Sequence, residues 1–177
     1  MSDIVFEAPP RSGENIEDLA DAIRKMFGLE DETFFPVVAF VEKGLPHLVE
    51  GLVFDIVDAQ TMGARMGAVN PLTREFLIRE DVYDGAVLHH PRHRFTLSHE
   101  AGHALMHIGT LNRMAPSASV ATYRDPEWQA NSFAAALLMP RGLVRQCKSV
   151  EEIMRRFGVS KESAELRVKT LKLEIYA

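Results

Sequence analysis

The alternation of apolar and polar positions divides the chain into helical and extended stretches. From Asn15, a good N-cap, the residues Ile16, Leu19, Ala20, Ile23 and Phe27 recur at helical spacing until Gly28. This predicts an amphipathic helix, preceded by a loose lead-in over residues 1–14 that carries Pro9, Pro10 and Gly13. The stretch PVVAFVEKG (36–44) has two readings. Pro36 and Gly44 frame a short helix, whereas its β-branched content favours a strand. LVFDIV (52–57), RMGAV (65–69) and REFLIR (74–79) predict three strands, the last two joined by a turn at Asn70-Pro71. EDVYDGAVL predicts a short helix.

A long helix follows from about Arg92 to about Ile108, with Leu97, Ala101, Leu105 and Ile108 on one face. Residues 109–124 predict a long loop, of the kind that is functional or mobile in a compact domain. Asp125 and Pro126 then form a helix start, and Ala130, Phe133, Ala134, Leu137 and Leu138 make its apolar stripe up to Pro140 and Gly142. Two short helices, SVEEIMRRFG and SKESAELRVKTLKL, close the chain around a GVS hinge. The expected fold is α+β: a small, mainly antiparallel three-stranded sheet flanked by helices, with a C-terminal helical pair.

Composition narrows the function. The chain has 177 residues, is 46% hydrophobic and 25% charged, and has a formal net charge of −5. That length predicts a single domain over 1–177, and the charge leaves no overall basic footprint for nucleic acid or an anionic membrane. Cys147 is the one cysteine, which excludes an internal disulfide and a cysteine-built zinc site. MSDIVFEAPPRSGEN lacks a basic region followed by an apolar one, so no signal peptide is expected, and no apolar run nears the ~20 residues that span a bilayer. A cytoplasmic location is the expectation.

The long helix carries the chemistry. RFTLSHEAGHALMH (94–107) contains His99, Glu100 and His103 in the HExxH spacing. Residues four apart on a helix differ by about 40° and about 6 Å of rise, so both imidazoles face one point and can hold zinc. Glu100, one residue round, can reach water beside the metal as a general base, and Gly102 leaves room next to the site. The pattern also occurs by chance on ordinary helices. A catalytic zinc needs a third protein ligand. The metzincin extension fails, because Met106 and Gly109 stand where Gly and His are required. His107 lies about 12 Å along the axis from His99, too far to join the same ion. It is read either as a residue behind the ligands or as a buried, hydrogen-bonded histidine. Glu127 opens the next helix, and Asn131 lies on the same face one turn on, where it can fix a ligand's geometry. The plainer reading of Glu127 is a helix N-terminal glutamate favoured by the helix dipole. HHPRHRF (89–95) offers His89, His90 and His93 as further candidates; it is read as a helix start, with His93 or Arg94 facing the cleft.

RFTLSHEAGHALMH and EWQANSFAAALLMP resemble the signature blocks of the ImmA/IrrE family of metallo-endopeptidases, R-F-T-x-x-H-E-x-G-H and E-x-x-A-N-x-F-A-A-x-L-L-M-P. The closing FGVS and R-K-L element is similar to that family's tail. The resemblance runs over roughly residues 35–172, with the two blocks as its specific part. It implies a zinc-dependent fold of gluzincin type, with His99, His103 and Glu127 as ligands and Glu100 as base, zinc as the metal and manganese as the alternative. It further implies a bacterial or phage regulator that cleaves or inactivates a helix-turn-helix repressor or antitoxin, releasing stress, mobile-element or toxin–antitoxin genes; the chain departs from relatives with a fused DNA-binding or sensory domain, so a stand-alone module acting on a separate repressor is expected.

In that reading Glu100 takes a proton from water and delivers it to the leaving amine. Tyr123, His107 and His93 are candidates for steadying the oxyanion, and REFLIR is an edge strand to which an extended substrate could add. Two other functions compete. The protein could keep the zinc and sequester a repressor without cutting it. The C-terminal helices have helix-turn-helix rhythm and could bind DNA, but seven Lys and Arg against five Glu over 148–177 is a balanced surface, so no direct nucleic-acid contact is expected.

Overall fold

Ser12, rather than Asn15, opens the first helix in the computed structural model, which describes residues 5–114 and 119–175. The Ser12 hydroxyl accepts from the Asn15 amide while the Asn15 side chain accepts from the Ser12 amide, a reciprocal cap that starts α1 (Gly13–Met26). The expected lead-in holds a strand, β1 (Val5–Glu7), and beyond it the Ala8 and Arg11 amides donate to the Arg124 and Tyr123 carbonyls.

Residues 36–44 are helical, as one of their two readings had it. α2 (Val37–Ala39) runs through a π turn (Phe40–Gly44) into α3 (Leu45–Leu48). Pro46 explains the wide turn: it has no N–H for a normal helical bond, and the Leu45 amide instead reaches the Phe40 carbonyl.

The sheet consists of β2 (Val53–Val57), β3 (Gly67–Asn70) and β4 (Glu75–Arg79), with α4 (Ala59–Met62) between β2 and β3. The strand order is β2-β4-β3. β4 pairs antiparallel with β3 but parallel with β2, so the sheet is mixed rather than mainly antiparallel. REFLIR is therefore the central strand, not an edge. Its Phe76 and Ile78 are fully buried, and a strand with that much apolar surface stabilises the fold most when both its neighbours are paired to it. β2, whose Val53 and Ile56 are exposed, takes one edge and β3 the other.

α5 (Glu80–Val87) leads into α6 (Pro91–His107). The predicted loop at 109–124 contains β5 (Asn112–Met114), which pairs antiparallel with β1, and a 3-10 turn (Thr122–Arg124); residues 115–118 of that loop lie outside the described residues. α7 (Pro126–Leu138) starts as expected at Asp125, whose carboxylate accepts from the Glu127 amide. α8 (Arg141–Val144), α9 (Val150–Phe157) and α10 (Lys161–Thr170) complete the chain.

The core lies between β4, α1, α6 and α7, where Ile16, Ala20, Phe76, Ile78, Leu97, Ala101, Phe133 and Leu137 have no exposed surface. Buried arginines tie its outer elements together. The Arg24 guanidinium of α1 donates to the Leu137 carbonyl at 2.7 Å, closing the end of α7. Arg167 of α10 donates to the Met139 carbonyl at 2.9 Å and grips Glu17 of α1 with both terminal nitrogens. Among the described residues no helix is long and apolar enough to cross a membrane.

Candidate metal centre

His99 and His103 stand one turn apart on α6, with their Nε2 atoms 3.0 Å from each other. Glu127, in the first turn of α7, points its carboxylate at both: Oε2 is 3.4 Å from His99 Nε2 and Oε1 is 3.3 Å from His103 Nε2. One donor atom from each of the three lies within 4.8 Å of the others. Two imidazole nitrogens and one carboxylate form the donor set of a catalytic zinc site with a position left for substrate, so these residues fit the metal that HExxH implies.

Gly102 sets the spacing of the two helices. A Cβ on it would sit 3.1 Å from the Phe133 ring and 3.2 Å from the Ala130 Cα. The space expected beside the site is thus filled by α7, and the bare glycine lets Glu127 come within reach of the histidines.

Behind each imidazole stands a polar partner. Asn131, one turn after Glu127, places Oδ1 3.0 Å from His99 Nδ1. His107 places Nδ1 2.9 Å from His103 Nδ1, and its Nε2 is 3.0 Å from the Gln129 side-chain oxygen. Gln129 is fully buried and its amide nitrogen donates to the Pro9 and Tyr123 carbonyls, both at 2.9 Å.

Glu100 is 8% exposed, on the side of α6 that meets β3. A Cβ on Gly67 would lie 2.7 Å from the Glu100 Cγ, so this glycine is where the edge strand passes closest to the carboxylate. Burial pushes the Glu100 carboxyl above its usual range, against the pull of His103 and His99. Glu127 is driven the other way, far below the usual carboxylate range, by its hydrogen bonds to His103 and His99. For His99, burial works against protonation, but the hydrogen bond to Glu127 and the charges of Glu100 and Glu127 outweigh it and the net direction is up. Burial pushes His107 down to about 4, so it is neutral at physiological pH.

The other sequence candidates lie elsewhere. His93 is turned against Gly85 of α5, and its Nδ1 is buried without a hydrogen-bond partner among the described residues. Arg94 does not face the metal site: it is 1% exposed, lies 3.7 Å over the Phe34 ring and donates to the Phe157 and Gly158 carbonyls. Tyr123 is 49% exposed and meets the site through its backbone carbonyl. Gln129 and Gly67 were missed. The signal for Gln129 was a polar side chain on the apolar face of α7, four residues before Phe133, since a buried amide needs partners. For Gly67 it was a glycine inside a strand.

Residues 59–169 match the family described as IrrE N-terminal-like domain, a peptidase family. No curated protein sequence matches the chain. Among solved structures, a Mycobacterium tuberculosis transcriptional regulator superposes with a TM-score of 0.57 at 15% sequence identity, over 88% of this chain. The chain spans about half the length of that regulator, 46%. At this identity the likeness establishes the shared fold.

Proposed function

Because the chain belongs to the IrrE N-terminal-like domain family of peptidases, we propose that it is a zinc-dependent endopeptidase acting on a protein, with a helix-turn-helix repressor or antitoxin as the expected substrate. The observation that carries this reading is the convergence of His99, His103 and Glu127, from two helices, beside the buried carboxylate of Glu100. When bound, zinc supplies Lewis acidity, polarising a carbonyl and acidifying water toward neutral pH. The chain's own residues do the rest. His99 and His103 present Nε2 lone pairs, and Glu127 adds a negative charge. Glu100 takes a proton from water and passes it to the leaving amine, a task suited to a carboxylate whose burial raises its proton affinity.

β3 replaces β4 as the strand to which substrate would add. It is an edge strand, and Gly67 brings its backbone against Glu100. An extended peptide paired with β3 would run past that carboxylate. Gly67→Val is accordingly expected to push Glu100 out of line and to lower cleavage by ~10²-fold with metal content unchanged, as read by metal analysis and a cleavage assay. Full activity in this variant would count against Glu100 as the base.

The regulatory setting rests on the family and on the fold shared with a protein described as a transcriptional regulator. The deciding experiment is metal analysis of the purified protein together with cleavage of the repressor encoded beside it. Zinc near one equivalent and a discrete cut are expected. A stable complex without a cut would instead identify a sequestering protein.

A further inference from the structure

We propose that Gln129 and His107 are positioning residues that set the tautomer and the aim of His103, linking it to the backbone of the N-terminal segment. This rests on the reading of His103 as a metal ligand.

The argument begins at two backbone oxygens. The Pro9 and Tyr123 carbonyls can only accept, and both take hydrogen bonds from the Gln129 amide nitrogen at 2.9 Å. That fixes which end of the amide is nitrogen, and its oxygen is left facing His107 Nε2 at 3.0 Å. An oxygen can only accept there, so His107 carries its proton on Nε2. His107 is 1% exposed, and no carboxylate is among its hydrogen-bond partners in the described residues. As a neutral imidazole it then offers a lone pair at Nδ1. His103 Nδ1, 2.9 Å away, must donate to it. With Nδ1 committed to donating to His107, His103 turns Nε2 toward Glu127 and His99, and a metal held there would meet the lone pair of that nitrogen. This is the form in which histidine binds a metal.

The line has two consequences. Both nitrogens of His107 are engaged, so it has no donor left for a reacting oxyanion. And the line ends on Pro9 and Tyr123, so the segment after β1 and the 3-10 turn before α7 both bear on a ligand of α6. His99 has a separate, shorter arrangement, since among the described residues its Nδ1 meets only Asn131.

The test is long-range 1H–15N correlation of the histidine rings in the metal-free protein, with zinc affinity measured by competition against a chelator. In the wild type, His103 is expected to carry a proton on Nδ1, whether or not Nε2 also carries one toward Glu127, and His107 to carry its single proton on Nε2. Gln129→Met removes the acceptor and both donors at similar volume. It is expected to mix the tautomers of His107 and His103, to leave that of His99 unchanged, and to weaken zinc binding by ~10–100-fold. A wild-type His103 with no proton on Nδ1, or a His107 with its proton on Nδ1, would overturn the proposal. So would unchanged tautomers and zinc affinity in the variant. The wild-type ring spectrum decides the matter even if Gln129→Met does not fold. Wild-type protein that binds no zinc would defeat the metal reading, but the tautomers would still report on the line itself.

Discussion

Glu100→Gln is expected to keep the metal and to lose cleavage by ~10²–10⁴-fold, the range that general acid–base catalysis contributes. The change exchanges one oxygen for an NH2 group at nearly constant volume, so the packing against Gly67 stays filled. It leaves the His99, His103 and Glu127 donors in place. Glu100 is buried, and burial already disfavours its charged form, so a neutral amide is not expected to destabilise the fold. What disappears is a group able to accept a proton. Zinc content and cleavage measured on one preparation separate the two effects. Undiminished cleavage would sink the assignment of Glu100 as base, and loss of the metal as well would make it part of the binding site instead.

The second large effect is on stability. Arg94→Met should lower the unfolding free energy by about 3 kcal/mol, since each buried carbonyl left without a donor costs ~1–3 kcal/mol and a desolvated cation–π contact adds up to ~2 kcal/mol. The carbonyls are those of Phe157 and Gly158, at the end of α9, and the ring is that of Phe34. Burial lowers the guanidinium pKa to about 10, which still leaves it charged at neutral pH. For a chain of this size the loss corresponds to roughly 6–12 °C in melting temperature. Arg94 lies about 140° round the helix from His99, so zinc affinity at low temperature should be little changed. A melting temperature equal to that of the wild type would show that the methionine packs as well as the arginine.

The elements with local causes were legible in the sequence. The Asp125 cap with Pro126, the break between the last two helices at GVS and the apolar stripes of α1, α6 and α7 all follow from neighbours within a few residues. HExxH is equally local, because one helical turn brings His99 and His103 together. Glu127 is not local to them, and it was reached through chemistry, from the ligand an open site lacks. The strand order was not legible, since β4 could pair with β2 only after the chain had passed through α4 and β3. Nor was the role of Gly102, which depends on Phe133 and Ala130 from another helix. His93 failed for a simple geometric reason. It precedes His99 by six residues, which turns it well away from the metal-facing side of α6.

The placement of α1 has a bearing on how the family's boundaries should be understood. The matched segment begins at residue 59, yet Ile16, Ala20 and Ile23 pack into the core beside α7, Arg24 closes the end of α7, and Glu17 holds Arg167. A fragment cut to residues 59–169 would keep all three candidate ligands and lose the helix that packs against α7, which carries Glu127. It should remain unfolded or aggregate, visible as poorly dispersed amide resonances. The recognisable signature and the cooperative folding unit are then different lengths of chain, and any graft of this chemistry onto another protein has to carry the N-terminal helix with it.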